Sequence, residues 1–524
     1  MRSLPLCGVL LFCGAIAQTA VVRAQSPELS GRFRSGRVQA EFDSTGRYRF
    51  VIGDVEGLAG TFTMEGDTLT LRDDRGRVAC IGMAGRHRVT LRADTLRFTL
   101  IEDACDGRRT AFAQPWVRTA EGEFALTNVT VVDGTGGPGR PGMTLVVRNG
   151  KIDALFATGS QPVPPGLTVI DLTGKFVIPG LIDAHVHLAT DPSGGDRREA
   201  VEARLEHALH GGITAVRDMA GDARALADLS RAALVGDIPS PAIYYSALLS
   251  GPGFFDDPRV QSSSRGLTPV GSAPWALAVT DSTNLPLAIA AARGTGATAI
   301  KLYAEVPPSL VSKIVAEAHR QGMKVWSHAT MVPSIPADAV AGGVDVLSHA
   351  AHFIWQVDTL PDFRQRINAD YSRVEPDDRR LTELFKAMAA RGTALDATLY
   401  VARQRPEALA FSAQVVRHAQ TAGVPILAGT DAIGAPSEGP LPHLHDELEL
   451  LVTQAGLTPL QAITAATLAP ARALGIEKTA GTIAVGKAAD LVILGADPSA
   501  DIRNTRKIEA VYRGGKRFAR AAAR

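Results

Sequence analysis

Eight short strand-like runs, mostly separated by helical patterns, extend over the middle of the chain. They occupy residues 181–188, 213–219, 242–249, 298–304, 324–329, 345–350, 393–400 and 425–431. Between the fourth and fifth runs, "PPSLVSKIVAEAHRQG" repeats its apolar residues at helical spacing. Strands and helices that alternate in this number are typical of an α/β fold, the (β/α)8 TIM barrel of parallel strands. The sequence therefore predicts such a barrel over residues 181–475.

Two β-rich segments flank the predicted barrel. "FALTNVTVVDGTG" and "LTVIDLTGKFVIPG" precede it, and "GTIAVGKAADLVILGADP" and "KIEAVYRGGK" follow it. Their short apolar runs are broken by Gly and Asp, as in strands joined by turns. We predict one small β-sandwich domain built from both flanks, over residues 124–180 and 476–519.

The first 24 residues have the pattern of an export signal. Arg2 precedes an apolar run, and Val22-Arg23-Ala24 provides small residues at a cleavage position. We therefore predict a signal peptide over residues 1–24 and a periplasmic or secreted mature protein. No later apolar run of the sequence is long enough to span a bilayer without charges or turn residues, so no membrane span is predicted.

An N-terminal antiparallel β-module is predicted over residues 25–118. "EGDTLTLRDDRG" and "RADTLRFTLIEDACDG" both alternate apolar with polar residues, as strands with one buried face do. The module resembles the lipocalin-like modules of some exported bacterial proteins, and either a packed core or a small apolar ligand could fill it. Cys80 and Cys105 lie within it, and in an oxidising compartment we expect them to be bonded; two free buried thiols are the alternative.

The charge of the chain gives no sign of an anionic partner. There are 55 basic and 54 acidic residues, and cleavage of the signal would remove Arg2, Arg23 and no acid. A mature chain with a net charge near −1 does not favour nucleic acid or an anionic membrane. The expected partner is a small-molecule amide or peptide substrate, and a homo-oligomer is left open.

The stretch "GLIDAHVHLAT" places two imidazoles at the end of the first predicted barrel strand. Residues two apart on a strand face the same way, so His185 and His187 both point inward. Four further residues with metal-binding or acid–base side chains stand at the ends of later strands: Lys301, His328, His349 and Asp431. Because the active sites of such barrels lie at the carboxyl ends of the strands, these six residues predict one metal site.

This constellation resembles the amidohydrolase superfamily, in particular its binuclear-metal imidazolonepropionase-like and prolidase-like dipeptidase members. The resemblance covers about residues 124–519 and includes "GLIDAHVHL", "GITAVRDM", "LAGTDA" and "GTIAVGKAADLVIL". It implies that His185, His187 and Asp431 hold one divalent ion and that His328 and His349 hold a second. It also implies that carbon dioxide carboxylates Lys301, whose carbamate bridges the two ions.

The residue types suit the chemistry that the resemblance implies. Imidazoles and carboxylates favour Zn²⁺ and similar ions, so two zinc ions are the expected cofactors. Two ions that share a hydroxide lower the pKa of water to about 7 and polarise a carbonyl. Asp431 would act as general base and then as general acid toward the leaving nitrogen.

Substrate contacts are predicted at four further positions. Tyr303 shares the face of Lys301, and Arg217 ends the second strand, where a structural ion pair with Asp218 is the alternative. His352 and His445 lie on loops or helix starts near the predicted site. A structural role is the alternative for each histidine.

The sequence thus predicts an exported, metal-dependent amidohydrolase that cleaves the amide C–N bond of a dipeptide or an N-acyl amino acid. One alternative is a lactone or cyclic-amide hydrolase with the same metal site. Another is a non-catalytic ligand-binding protein, which need hold no stoichiometric metal. The loops after the strands determine substrate specificity, and the sequence pattern does not identify the substrate.

Overall fold

The protein was analysed as a computed structural model that describes residue 29 and residues 31–35, 38–43, 45–52, 55–92, 95–119, 123–165, 167–190, 197–264, 269–360, 362–433 and 439–518. The predicted signal peptide lies outside the described residues. Contacts divide the chain into two compact units, residues 1–121 and 122–524. Among the described helices, none combines the length and apolar character needed to cross a bilayer.

The first unit is an antiparallel barrel of eight strands with one helix. Its elements are β1 (Gly31–Ser35), β2 (Val38–Phe42), β3 (Arg47–Ile52), β4 (Val55–Glu65), β5 (Thr68–Arg75), β6 (Ala84–Arg92), β7 (Thr95–Asp103), α1 (Asp106–Phe112) and β8 (Trp116–Thr119). Each strand pairs with the next, and β1 pairs with β8 to close the barrel. The rings of Phe42, Phe50 and Trp116 are buried, and Phe50 contacts the other two. The predicted antiparallel module is confirmed, and its interior is a packed aromatic core.

A disulfide between Cys80 and Cys105 is present in this unit, as predicted. The backbone N–H of Cys80 donates to Asp73 Oδ2 (2.7 Å), and that of Cys105 donates to Asp103 Oδ1 (2.8 Å). The fully buried guanidinium of Arg108 forms ion pairs with both carboxylates. The disulfide therefore joins the segments that contain Cys80 and Cys105, which the ion pairs of Arg108 with Asp73 and Asp103 also connect.

Removal of the disulfide is expected to destabilise this barrel. The bond closes a loop with a sequence separation of 25 residues. Closing a loop of that size lowers the entropy of the unfolded chain and so stabilises the folded state by about 3 kcal/mol. The Cys80→Ala/Cys105→Ala double variant should lower the free energy of unfolding of the first unit by this order, measured by denaturant titration. Wild-type protein should show no titratable thiol in denaturant until reductant is added; two thiols without reductant would contradict the bond.

The second unit holds the remaining strands and helices. In chain order the strands are β9 (Phe124–Val131), β10 (Arg140–Arg148), β11 (Lys151–Ala157), β12 (Thr168–Asp171), β13 (Phe176–Pro179), β14 (Leu181–His187), β15 (Ile213–Asp218), β16 (Ala242–Ser250), β17 (Ser272–Ala273), β18 (Ala276–Ala278), β19 (Ala299–Leu302), β20 (Lys324–His328), β21 (Val346–Ser348), β22 (Ala394–Asp396), β23 (Ile426–Leu427), β24 (Ala432–Ile433), β25 (Leu491–Leu494), β26 (Ile508–Arg513) and β27 (Lys516–Phe518). The helices are α2 (Arg198–His210), α3 (Ala223–Val235), α4 (Pro258–Ser263), α5 (Leu285–Gly294), α6 (Pro308–Arg320), α7 (Pro336–Ala341), α8 (Arg379–Arg391), α9 (Leu399–Ala402), α10 (Pro406–Thr421), α11 (Leu444–Thr453), α12 (Pro459–Ala465) and α13 (Leu468–Leu474).

Strands from both flanks form one β-domain, as predicted. Its strand order is β11-β10-β9-β13-β25-β26-β27, and β12 also pairs with β9. The link between the flanks is β13, which runs parallel to β9 and antiparallel to β25. Side chains are buried on both faces: Leu126 and Leu145 belong to one apolar cluster, whereas Ala125 and Val146 belong to another.

Eight parallel strands form the predicted TIM barrel. They are β14, β15, β16, β19, β20, β21, β22 and β23, and β24 then pairs with β14 to continue the ring. Helix α6 illustrates the local cause of the alternation: Pro308 occupies its first position, and Leu310, Ile314 and Ala318 repeat on its buried face. The predicted α/β barrel class is confirmed.

One predicted strand is shorter in the structure, and one long connection is irregular. The predicted strand over 393–400 is only Ala394–Asp396, because Thr398 turns into the left-handed region (φ +49°) and begins α9. The connection after β21 contains short 3-10 helices, among them Phe363–Gln365 and Tyr371–Arg373, before α8. The periodicity of apolar residues did not indicate these features, because a single left-handed residue and three-residue 3-10 helices are too short to produce a repeat.

Candidate active site

The two histidines of the first barrel strand share a face and meet one carboxylate. His185 is buried (1% exposed), and its Nε2 lies 3.4 Å from Asp431 Oδ1. His187 Nε2 lies 3.1 Å from the same oxygen. The strand β14 therefore delivers both rings to Asp431, which follows the last parallel strand of the barrel.

Two of the site residues have left-handed backbones. His349, directly after β21, has φ +74°, and Asp431, directly before β24, has φ +52°. Such a conformation costs an L-residue about 1–3 kcal/mol and is typical of functional sites. The turns bring ligand atoms of His185, His349 and Asp431 within 4.8 Å of one another.

Lys301 and His328 complete the set of six predicted ligands, all of which line one cavity. Lys301 Nζ lies 3.4 Å from Ser348 Oγ, and burial lowers the pKa of Lys301 to about 7. His328 Nδ1 donates to the carbonyl of Tyr303 (3.1 Å), and burial holds the pKa of the His328 ring well below its ordinary value. Both side chains are thus buried at the carboxyl ends of their strands.

The donor set fits a divalent metal. Nitrogen atoms of buried imidazoles and a carboxylate are ligands for zinc-like ions. The hydrogen bonds of His185 and His328 each occupy Nδ1, which leaves Nε2 for an ion. His185, His349 and Asp431 therefore form a candidate divalent metal site.

Asp396 is a functional residue that the sequence analysis missed. It is fully buried at the end of β22, where its Oδ2 accepts from His185 Nδ1 (2.6 Å) and from Arg217 Nη2 (2.8 Å). Gly429 permits this arrangement, since a Cβ there would lie 2.5 Å from Asp396 Oδ1 and 2.6 Å from His185 Cβ. Its place in the sequence could have indicated this role, because Asp396 is the last residue of a barrel strand and the predicted ligands also stand at strand ends.

Asp396→Asn is expected to weaken metal binding by about 10- to 100-fold, because outer partners fix the tautomer and orientation of a ligating histidine. Titration of the metal-free variant with Zn²⁺ and a competing chelator measures the affinity. Asp345→Asn, which alters a carboxylate that contacts Lys324 and His319, is the control and should bind metal as wild type does. Wild-type affinity in Asp396→Asn would contradict the orienting role.

The cavity has a volume of about 570 Å³, and a cluster of aromatic side chains lines part of its wall. The Tyr303 ring lies 4.0 Å from that of His328, 4.6 Å from Phe254 and 5.6 Å from Phe363. His352 also lines the cavity; burial lowers its pKa to about 3, and its Nδ1 has no hydrogen-bond partner among the described residues. Tyr303 and His352 therefore line the same cavity as the six predicted metal ligands.

The structure does not bring two other predicted substrate contacts to this cavity. Arg217 is fully buried inside the barrel, where it pairs with Asp396 rather than with Asp218. His445 lies in α11, where one ring nitrogen meets Thr505 Oγ1 (3.0 Å) and the other the carbonyl of Gly211 (2.9 Å). Both assignments were wrong. Arg217 contacts the site through Asp396, and His445 links α11 to Thr505 and Gly211.

Comparisons with known proteins agree with this geometry. The model of the amidohydrolase family matches residues 176–518. Imidazolonepropionase from Caulobacter vibrioides is 25% identical over 420 residues, which cover 72% of this chain and 93% of that protein. A dihydroorotase from Desulforapulum autotrophicum is 41% identical over 75 residues, only 14% of this chain and 17% of that protein.

A solved structure agrees as well. The structure of a putative prolidase from Bifidobacterium longum superimposes with a TM-score of 0.56 at 26% identity, and the match covers 76% of this chain and 94% of that chain. The family resemblance predicted from the strand-end residues is thereby confirmed. The chain belongs to the amidohydrolase family and is an enzyme of the type that hydrolyses carbon–nitrogen bonds.

Proposed function

We propose that this protein hydrolyses the amide bond of a dipeptide or an N-acyl amino acid. The observation that carries the proposal is the group formed by His185, His349 and Asp431, whose ligand atoms lie within 4.8 Å of one another beside a cavity of about 570 Å³. A cavity of this size matches small-molecule sites. The aromatic cluster on its wall suits apolar side chains on either side of an amide.

The proposed metal centre uses all six predicted ligands. His185, His187 and Asp431 would hold one zinc ion, and His328 and His349 the other. When bound, the two ions would supply Lewis-acid polarisation of the scissile carbonyl and a water molecule with a pKa near 7. Within the chain, Asp396 holds the ring of His185 by its Nδ1, so that Nε2 faces Asp431.

Lys301 is proposed to carry the bridging carboxylate. The lone pair of its unprotonated amine would form a C–N bond to carbon dioxide, one C=O π bond would open to give the carboxylate, and one proton would leave the nitrogen for solvent. The resulting carbamate offers two oxygens where the free amine offers one nitrogen. The position of Lys301 supports this role, since its side chain is 1% exposed and lines the same cavity as the four histidines.

Asp431 is proposed to move the proton. One carboxylate oxygen accepts a proton from the attacking water, and the acid that forms donates it to the leaving nitrogen as the C–N bond breaks. Asp431 Oδ1 lies within 3.4 Å of two imidazole nitrogens, so the carboxylate is held at the centre of the site. Tyr303 and His352, on the cavity wall, are proposed substrate contacts.

We further propose that the protein acts after export, in the periplasm or outside the cell. The apolar segment that follows Arg2 and the disulfide between Cys80 and Cys105 support this location. Mass measurement of the protein recovered from a periplasmic fraction tests it. The expected mass is that of a chain beginning at Gln25; an intact Met1 in the cytoplasm would contradict export.

A substrate screen tests the proposed reaction. Metal-replete protein is incubated with a library of dipeptides and N-acyl amino acids, and release of free amine is followed. Parallel wells with lactones and cyclic amides test hydrolysis of those bonds by the same centre. We expect amine release that a chelator abolishes and zinc restores. Stoichiometric metal without turnover in any well would overturn the proposal, and a protein without stoichiometric metal would fit a ligand-binding role instead.

A further inference from the structure

One guanidinium of the cavity wall faces the site without an acidic partner. Arg366 lines the cavity, and its guanidinium carbon lies 4.1 Å from the centre of the Phe363 ring and 5.9 Å from that of Tyr303. Within the described part of the chain, the guanidinium of Arg366 donates one hydrogen bond, from Nη1 to the carbonyl of Phe363 (3.2 Å), which uses one of its five donors. Among the residues that the structure describes, no carboxylate lies within ion-pair distance of Arg366.

One carboxylate of the same wall has no cationic partner within the described part of the chain. Glu305 follows β19 with a left-handed backbone (φ +54°), and its side chain lies against Gly253. A Cβ at position 253 would meet Glu305 Oε2 at 2.5 Å, so a larger residue there would displace the carboxylate from its present position. The conformation of two segments thus holds this negative charge beside the cavity.

The aromatic side chains connect the two charges. Tyr303 stands two residues before Glu305, and its ring contacts both Phe254, the neighbour of Gly253, and Phe363, on which Arg366 rests. A cation and an anion therefore lie on one wall with an apolar surface between them. A zwitterion with an apolar body has the complementary pattern.

Two other charged residues of the cavity wall have charged partners, and a third, Arg364, is exposed. Asp222 is held by the guanidinium of Arg224, and Arg405 contacts Glu407 and the carbonyl of Ile367. Arg364 donates to the carbonyl of Gly253 (3.0 Å) and its side chain is exposed. Arg366 is less exposed than Arg364 and packs over the rings of Phe363 and Tyr303, so Arg366 and Glu305 are the better placed pair of opposite charges for a ligand.

We propose that the cavity is specific for unblocked dipeptides, with Arg366 binding the substrate α-carboxylate and Glu305 its α-ammonium group. A guanidinium matches a carboxylate with two parallel hydrogen bonds. The inference rests on the proposed amide hydrolysis and narrows it, because N-acyl amino acids lack the ammonium group. Substrates that differ by one charge at a time test it.

Three substrates isolate the two charges. Alanyl-leucine carries both, propionyl-leucine lacks only the ammonium group, and alanyl-leucinamide lacks only the carboxylate. Wild-type enzyme should hydrolyse alanyl-leucine with a kcat/KM roughly 10- to 100-fold above either analogue, the range expected for a charged hydrogen-bonding partner. If the substrate screen selects a different apolar residue, that residue replaces leucine in all three.

Two variants assign each charge to its residue. Arg366→Gln should lower the ratio of kcat/KM for alanyl-leucine to that for alanyl-leucinamide roughly 10- to 100-fold. Glu305→Gln should lower the ratio of kcat/KM for alanyl-leucine to kcat/KM for propionyl-leucine by a similar factor. Arg364→Gln tests the exposed, neighbouring arginine of the same wall and should keep both wild-type ratios. Arg373→Gln, whose guanidinium pairs with Asp358 and is not among the residues that line the cavity, is the matched control. Circular dichroism and metal content establish that each variant is folded and loaded.

The outcomes separate this inference from the proposed function. Comparable rates for all three substrates in wild-type enzyme leave amide hydrolysis standing and overturn the dipeptide specificity. Ratios that shift in Arg364→Gln but not in Arg366→Gln overturn the assignment of the carboxylate. Hydrolysis of none of the three, and of no amide in the screen, removes the proposed function itself.

Discussion

Asp431→Asn is expected to lower amide hydrolysis by about 10²- to 10⁴-fold while the protein stays folded. The amide of asparagine cannot accept the proton of the attacking water, and it is a weaker metal ligand than a carboxylate. Asp431 Oδ1 lies 3.1 Å from His187 Nε2 and 3.4 Å from His185 Nε2, so the substitution changes the group at the centre of the site. Steady-state kinetics at saturating zinc measure the loss.

The control for this prediction is Asp281→Asn. Asp281 is exposed and pairs with Lys313 on the surface, so its loss should leave kcat and KM at wild-type values. Metal content of both variants separates loss of the proton acceptor from loss of the ion. Turnover close to wild type in a metal-loaded Asp431→Asn protein would remove Asp431 from the proposed mechanism.

Lys301→Ala is expected to empty or loosen at least one metal position and to reduce hydrolysis to below about 1% of wild type, since positioning and polarisation by metal each contribute several kcal/mol. The side chain is 1% exposed at the end of β19. Its removal leaves a space lined by the site residues, which acetate or propionate can enter. Added carboxylate should therefore restore part of the activity, measured as rate against carboxylate concentration.

Lys324→Ala provides the matched control. Lys324 begins β20, the next strand, and its ammonium pairs with Asp345 at the opposite end of the barrel strands. This variant should keep its metal content and show no response to acetate. If Lys301 acts only as a cation beside an acid, no anion would rescue Lys301→Ala, and a bare ammonium in a crystal of active, metal-loaded enzyme would exclude the bridge.

The barrel and the six cavity-lining ligands were predictable because both follow from local rules. Alternation on β14 determines that His185 and His187 share a face, and the end of each strand determines the level at which its last side chain lies. Neither rule needs knowledge of distant residues. The positions of the candidate ligands therefore follow from the sequence once the eight strands are recognised.

Pairings between distant residues were not predictable in the same way. Arg217 pairs with Asp396, which is 179 positions away, and not with its neighbour Asp218. The sequence gives the buried position of each but not which carboxylate the guanidinium reaches across the barrel. Arg366 and Glu305 lie in irregular segments, where no periodicity indicates the direction of a side chain.

The β-domain has a consequence for how the chain acquires its structure. Strand β13 precedes the barrel and β25 follows it, and their ladder places Pro179 opposite Leu491. Because the whole barrel lies between the two strands in the chain, β13 keeps an open edge until β25 reaches it, and such edges favour aggregation. Pairings this distant in sequence also form slowly. Closure of this domain should therefore be one of the last steps of folding, because the edge of β13 stays unpaired until residues 491–494 dock on it.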